Sequence, residues 1–292
     1  MTTMELEVTG PYDLGEVATM GFGHRDERAF DGVMRMAFCL DGDYERSVGV
    51  AARQDGQTVQ LTVESEGALS ETEAEAVRGQ VARVISVDHD GEAFHQLCLS
   101  QPPLAAVHAR APGFRPANFY SPYEALVWSI ISARRARSQG IGLRTKLAEA
   151  SGTVFDVAGV KTPAVPTPSR LLTVEAVPGL PADRIPRLHA VAEAAQQGRL
   201  SVERLRALPP DEAKAALQEL PGIGPFYSAL VVVRALGHTD VLSVEESHSR
   251  DAVQELYGVD HTLTDAELTE IAEAWRPYRT WVTVMLRALS GR

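Results

Sequence analysis

Two cysteines, Cys39 and Cys98, are all that the 292-residue chain contains. That is too few for a disulfide framework or for a four-cysteine metal or iron–sulfur site. No apolar run approaches the roughly 20 residues that a membrane helix needs, and the best, Ala229 to Val233, is far shorter. The opening Met1-Thr-Thr-Met-Glu-Leu-Glu7 lacks the basic flank and apolar core of a secretion signal. His24, His89, His95, His108 and His189 show no ligand spacing, so no catalytic metal is expected. These absences point to a soluble cytoplasmic protein, with neither cluster nor membrane anchor.

Positive charge is also scarce, but unevenly so. The net charge is -11, and residues 1–114 hold 8 Lys and Arg against 19 Asp and Glu. Residues 115–292 hold 20 of each, so the whole acidic excess lies in the first part. Global charge therefore does not exclude nucleic-acid binding by the remainder. Within that remainder Arg134, Arg135, Arg137, Arg144 and Lys146 crowd one segment without an acid among them. Taken alone, such a segment is a solvated helix face.

What is present divides into two patterns. From Glu5 to about Thr62, turns at Gly21-Phe-Gly23, Asp41-Gly-Asp43 and Asp55-Gly56 separate strand-like runs at 32–39, 47–51 and 58–63, the last alternating apolar and polar residues. Ser70-Glu-Thr-Glu73 is a capping box opening a helix to about Val87, and a second helix is expected over Glu92 to Ser100. After a proline break at Gln101-Pro-Pro103 nearly everything reads as helix, with Lys161 to Pro168 a loop. The expectation is an α+β chain. A small antiparallel sheet domain with one or two helices (1–114) precedes an all-helical body (115–292).

The most informative stretch joins two amphipathic helices through Pro221-Gly-Ile-Gly-Pro225. Glycines at 222 and 224 permit positive φ and close approach of another backbone, while Ile223 would anchor the turn in the core. Amides at the start of the second helix can then face outward beside the positive end of its dipole, an arrangement that suits a phosphate oxygen. An ordinary tight turn between helices would use the same residue types.

Leu220-Pro-Gly-Ile-Gly-Pro225 resembles the hairpin of the helix-hairpin-helix DNA glycosylases, the superfamily of endonuclease III and bacterial 3-methyladenine DNA glycosylase II. Further segments are similar to the latter branch. Asp240-Val-Leu-Ser-Val-Glu-Glu-Ser-His248 lies where the family has its catalytic aspartate loop. Ala274-Trp-Arg-Pro-Tyr-Arg-Thr-Trp281 resembles the Trp-x-Pro-Trp-Arg opening of the last helix. Tyr120-Ser-Pro-Tyr-Glu-Ala-Leu-Val-Trp-Ser-Ile130 resembles the body's first helix, and Pro166-Thr-Pro-Ser169 the Phe-Pro-Thr-Pro loop, with Val165 for the Phe. The resemblance covers 115–292 and implies a base-excision enzyme. Its partner would be double-stranded DNA containing a damaged, alkylated base, with the protein acting as a monomer on the nucleoid. It implies no cofactor, apart from a monovalent cation that the hairpin carbonyls could hold.

The chain departs from that family at several positions. A carboxylate must face the flipped nucleotide to stabilise positive charge on the sugar as the base leaves. The family's Asp corresponds to Glu246, one methylene longer, preceded by Glu245. The alternative is that both glutamates only cap the helix beginning at Ser247. His248 is expected to bond nearby backbone. Bifunctional members carry a Schiff-base lysine where this chain has Phe226, so a monofunctional glycosylase without lyase activity is implied. The wedge loop corresponds to Ala133-Arg-Arg-Ala136, in which Arg134 and Arg135 would touch DNA, Arg134 either filling the gap in the stack or holding a phosphate. For the base pocket the matching positions are Phe226, Leu230 and Arg287, with Trp281, Tyr227 and Trp128 as replacement aromatic walls or as plain core. A catalytically inactive module that recognises damaged DNA is the competing expectation.

Overall fold

A computed structural model describes residues 2–20, 30–242, 244 and 247–289, the side chains of residues 247–249 excepted. Strands β1 (Thr2–Glu7), β2 (Met34–Leu40), β3 (Asp43–Asp55) and β4 (Thr58–Ser65) form an antiparallel sheet in the order β1-β4-β3-β2. β1, which the hydropathy pattern did not single out, pairs with β4, Met4 opposite Leu61. Val48, Val50 and Ala52 of β3 join one core with Val59, Leu61 and Val63 of β4. Helices α1 (Leu14–Thr19) and α2 (Glu71–Val84) close that face, Asp13 and Ser70 capping them. The capping box read from Ser70 and Glu73 is formed in both directions.

The other face of the sheet is covered by an element that sequence reasoning missed. Residues 161–168 were expected to be loop, yet β5 (Val154–Val157) and β6 (Val160–Pro163) make a two-stranded ribbon. Its Phe155 and Val157 pack on Ala37 and Ala51. The fit needs small residues: a Cβ on Gly49 would lie 2.6 Å from that of Phe155. Each ribbon strand is four residues long, too short to display the period-2 pattern.

The helical body begins earlier than the proline break suggested. α3 (Gly91–Ser100) is followed at once by α4 (Pro102–His108), with its prolines in the first turn, where a missing N–H costs nothing. Phe94, Cys98, Leu104 and Phe114 share a core with residues 252–289, including Trp275, Trp281 and Met285. Then come α5 (Pro122–Ser132), α6 (Arg137–Ser151), α7 (Pro168–Leu171), α8 (Ile185–Gln196), α9 (Val202–Arg206), α10 (Pro210–Gln218) and α11 (Pro225–Arg234). These surround a third core built on Tyr123, Leu126, Leu188, Val191, Val231 and Val232. The chain ends with α12 (Ser247–Tyr257), α13 (Asp265–Glu273) and α14 (Arg279–Leu289). The architecture is thus α+β, a small antiparallel sheet beside a larger helical body. Among the described residues no helix is long and apolar enough to cross a membrane.

Candidate nucleic-acid interface

The hairpin forms between α10 and α11. The amide of Leu220 donates to the Leu217 carbonyl (3.2 Å) and that of Ile223 to the Leu220 carbonyl (3.1 Å), which closes the turn. Ile223 is buried in the core beneath it. Gly222 takes φ +89°, a conformation other residues rarely adopt. Gly224 does not: at φ -100° it is extended, so positive φ is not the reason for that glycine. A Cβ there would meet no protein atom within 4 Å, which leaves the hairpin's outer side open to an approaching backbone. Gln218 Nε2 donates to Ser228 Oγ (3.0 Å), tying α10 to α11. Pro225 occupies the first turn of α11, and the amides of Phe226 and Tyr227 precede the first intrahelical bond, from Ser228 to the Gly224 carbonyl (3.0 Å).

A groove of about 740 Å³ runs along the hairpin and is lined by residues 218–224, Tyr227, Ala133, Arg134, Asp183, Arg184 and Arg187. Arg134, 86 positions before Leu220, is thereby brought to the hairpin, which no local pattern announced. Its φ is +59°, unusual for a side-chain-bearing residue, and its side chain is exposed with no hydrogen bond or ion pair among the described residues. Arg135 turns aside to donate to the Gly179 carbonyl (3.2 Å), lining a neighbouring depression of about 270 Å³ with Lys146. Arg144, counted with them in sequence, points inward instead and meets Glu124 at 3.3 Å. Burial pushes the Glu124 carboxyl up to about 7, although Arg144 and the Cys39 amide oppose the shift.

Two arginines that sequence reasoning overlooked complete the groove. Arg184 donates to the Ile130 carbonyl (3.0 Å), and Arg187 pairs with Asp183 at 2.9 Å. The signal for them was present in the spacing of Arg184 and Arg187 at the start of a helix that opens after Pro178-Gly-Leu-Pro181.

The expected base-pocket residues lie on two helices, Phe226 and Leu230 on α11 and Trp281 and Arg287 on α14. Phe226 is 49% exposed beside Tyr227, the rings meeting edge to face at 5.3 Å, and Leu230 lies half-buried on the core below. Trp281 belongs to a different core. It is 2% exposed, with Phe94, Tyr278 and His89 against its ring at 5.1, 5.4 and 5.9 Å, so it has no open face for a base. Trp128 is likewise buried, against Gly140. Arg287 lies on the exposed side of α14.

Glu245 and Glu246 lie outside the described residues, as does the side chain of His248, but the chain on either side is held. The Thr280 amide donates to the Thr239 carbonyl (2.8 Å), and Thr280 Oγ1 bonds both the amide and the carbonyl of Val241 (2.9 and 2.7 Å). The Asp240 carboxylate takes Arg276 and Arg279, each at 2.7 Å. Arg250 donates to the Val244 carbonyl (2.8 Å). Among the described residues no three His, Cys, Asp or Glu side chains gather as metal ligands.

A 3-methyladenine DNA-glycosylase of Archaeoglobus fulgidus superposes with a TM-score of 0.78 over 97% of this chain and 96% of its own, at 22% identity. The fold is that of the helix-hairpin-helix DNA glycosylases. MBOgg1, solved in complex with a low-affinity DNA ligand, shares the glycosylase fold with a TM-score of 0.76 over 100% of this chain and 97% of its own, at 18% identity. In sequence, a DNA-3-methyladenine glycosylase of Bacillus subtilis is 21% identical over 208 residues, 68% of this chain and 67% of that protein. No protein-family model matches the chain.

Proposed function

We propose that the chain is a DNA N-glycosylase that binds duplex DNA through the hairpin groove, flips out a damaged, alkylated base and hydrolyses its N-glycosidic bond. The observation that carries this reading is the meeting of hairpin and wedge loop: the open side of Gly224, the first turn of α11 and Arg134, exposed and without a partner among the described residues, border one groove. Phosphate oxygens would lie on the amides, and Arg134 would enter the duplex or hold the next phosphate. The names of the Bacillus and Archaeoglobus proteins favour alkylated bases as the lesion class.

In the proposed reaction the bond between base nitrogen and sugar C1′ breaks and the base departs with its electron pair. Water then bonds to C1′ and gives up a proton. Glu246 would stabilise the positive sugar and accept that proton. Phe226, an exposed ring without an amine, matches by resemblance the position where a Schiff base would need lysine, which supports an abasic product left uncut. A monovalent cation remains part of the proposal through the hairpin, where the Leu220 carbonyl accepts the Ile223 amide and keeps a second lone pair.

The test is base release from methylated, deaminated and oxidised duplexes by wild type and Glu246→Gln. Release from the methylated duplex, reduced about 100-fold or more in the variant, is expected. No strand scission should follow without alkali. Absence of release from every duplex, with lesion binding retained, would replace the enzyme by a recognition module.

A further inference from the structure

The groove holds an ion pair that the catalytic proposal does not use. Gly222 lacks a side chain, and a Cβ there would stand 2.9 Å from Arg187 Cδ and 3.1 Å from Nη1. The Arg187 side chain therefore lies directly over the hairpin turn and is one-third exposed. On its other side it is held by Asp183, one helical turn earlier, at 2.9 Å. Asp183 is 61% exposed, and among the described residues its only other cation is Arg184 at 4.0 Å. The groove's second acid, Glu219, is already engaged by Arg199 at 2.6 Å. Arg184 is committed to the Ile130 carbonyl. Arg187 is thus the groove cation whose partner is weakly held and lies beside the place where an anion on the hairpin amides would sit.

An exposed carboxylate–guanidinium pair is worth little in water. A phosphodiester offers the same planar donors a bidentate partner and releases condensed counterions as it binds. We propose that Arg187 is a DNA-phosphate contact held in reserve by Asp183: paired with the carboxylate in the unbound protein, and with a backbone phosphate beside the hairpin once DNA arrives. The inference rests on the DNA-binding reading above and adds to it a residue and an exchange. The exchange lowers the affinity of the groove for undirected anions, because each must displace Asp183 before it gains Arg187.

The test is the salt dependence of binding to a labelled duplex carrying one abasic-site analogue, measured by fluorescence anisotropy. Wild type, Arg187→Ala, Arg187→Lys, Asp183→Asn and the double variant Asp183→Asn/Arg187→Ala are compared, with melting temperatures recorded for each. Arg187→Ala should flatten the slope of log K against log salt by about 0.9, the loss of one phosphate contact. Arg187→Lys should restore most of that slope. Asp183→Asn should bind roughly two- to fivefold more tightly at low salt, a gain that mostly disappears when Arg187 is also alanine. A wild-type slope in Arg187→Ala overturns the phosphate contact. An equal Asp183→Asn gain in both backgrounds overturns the exchange, since Asp183 then acts by charge alone. Salt-independent or absent binding by wild type is a different failure, that of the DNA-binding reading, and the inference falls with it.

Discussion

Glu124 shows how far burial alters a single side chain. Its carboxylate is enclosed between α5, β2 and α6, and the cost of ionising it there raises its pKa from 4.5 to about 7. Between those values the unfolded chain has lost the proton that the folded chain keeps. Stability from this group is therefore present below about pH 4.5 and declines as pH rises to about 7, by roughly 3 kcal/mol. Glu124→Gln removes the titration. The variant's unfolding free energy relative to wild type should climb across urea titrations between about pH 4.5 and about pH 7, and a constant difference would count against the assignment. Trp281 carries the opposite lesson. As a residue type it suited a base pocket, but its neighbours Phe94, Tyr278 and Arg115 make it a core residue. Sequence spacing places a ring on a helix and leaves open which face finds a cleft.

At the level of elements, the hairpin's two glycines separate folding from recognition. Gly222 has positive φ and Arg187 pressed against it, so Gly222→Ala strains the backbone and displaces the arginine. A loss on the order of 1–3 kcal/mol in thermal or chemical unfolding is expected, together with weaker DNA binding. Gly224 is extended and faces open space. Gly224→Ala should leave the melting temperature nearly unchanged yet weaken DNA binding, because only an approaching phosphate backbone would meet the methyl group. Unchanged DNA affinity would mean that no backbone comes close there. Elements with strong local signals are legible in the sequence: the capping box at Ser70, the turn at 221–225, the helix ending at Ser100 and the helix that follows Pro225. The ribbon of β5 and β6 was not, because four-residue strands owe their existence to packing on Ala37, Gly49 and Ala51.

Across the whole molecule, buried arginines join the sheet region to the body. Arg83 of α2 donates to the Ala235 carbonyl (3.1 Å) just past α11, while His89 Nε2 lies 3.0 Å from the Gly237 carbonyl. Arg115 donates to the carbonyls of Thr9 and Ser86 and stands 5.9 Å from the Trp281 ring centroid. Cations at the end of α11 also oppose the negative pole of the helix whose positive pole faces the groove. Phe94, Cys98, Leu104, Ala111 and Phe114 are buried with the last helices, and Ala117 and Tyr120 with the sheet. Cores interleaved in this way should unfold together, so calorimetry and near-ultraviolet dichroism are expected to report one coincident transition. Two separated transitions would show that the sheet region melts on its own.

The sequence by itself determined the α+β class, the acidic first third, the positions of most helices and the hairpin as the place to look. Each of these depends on local preference or on periodicity, which neighbouring residues carry among themselves. Only the tertiary structure decided that Arg134, Arg184 and Arg187 share a groove with the hairpin, that Arg144 turns inward to Glu124, and that Trp281 is core. Those outcomes depend on which faces of distant helices meet, and burial and charge pairing settle that choice between residues far apart in the chain.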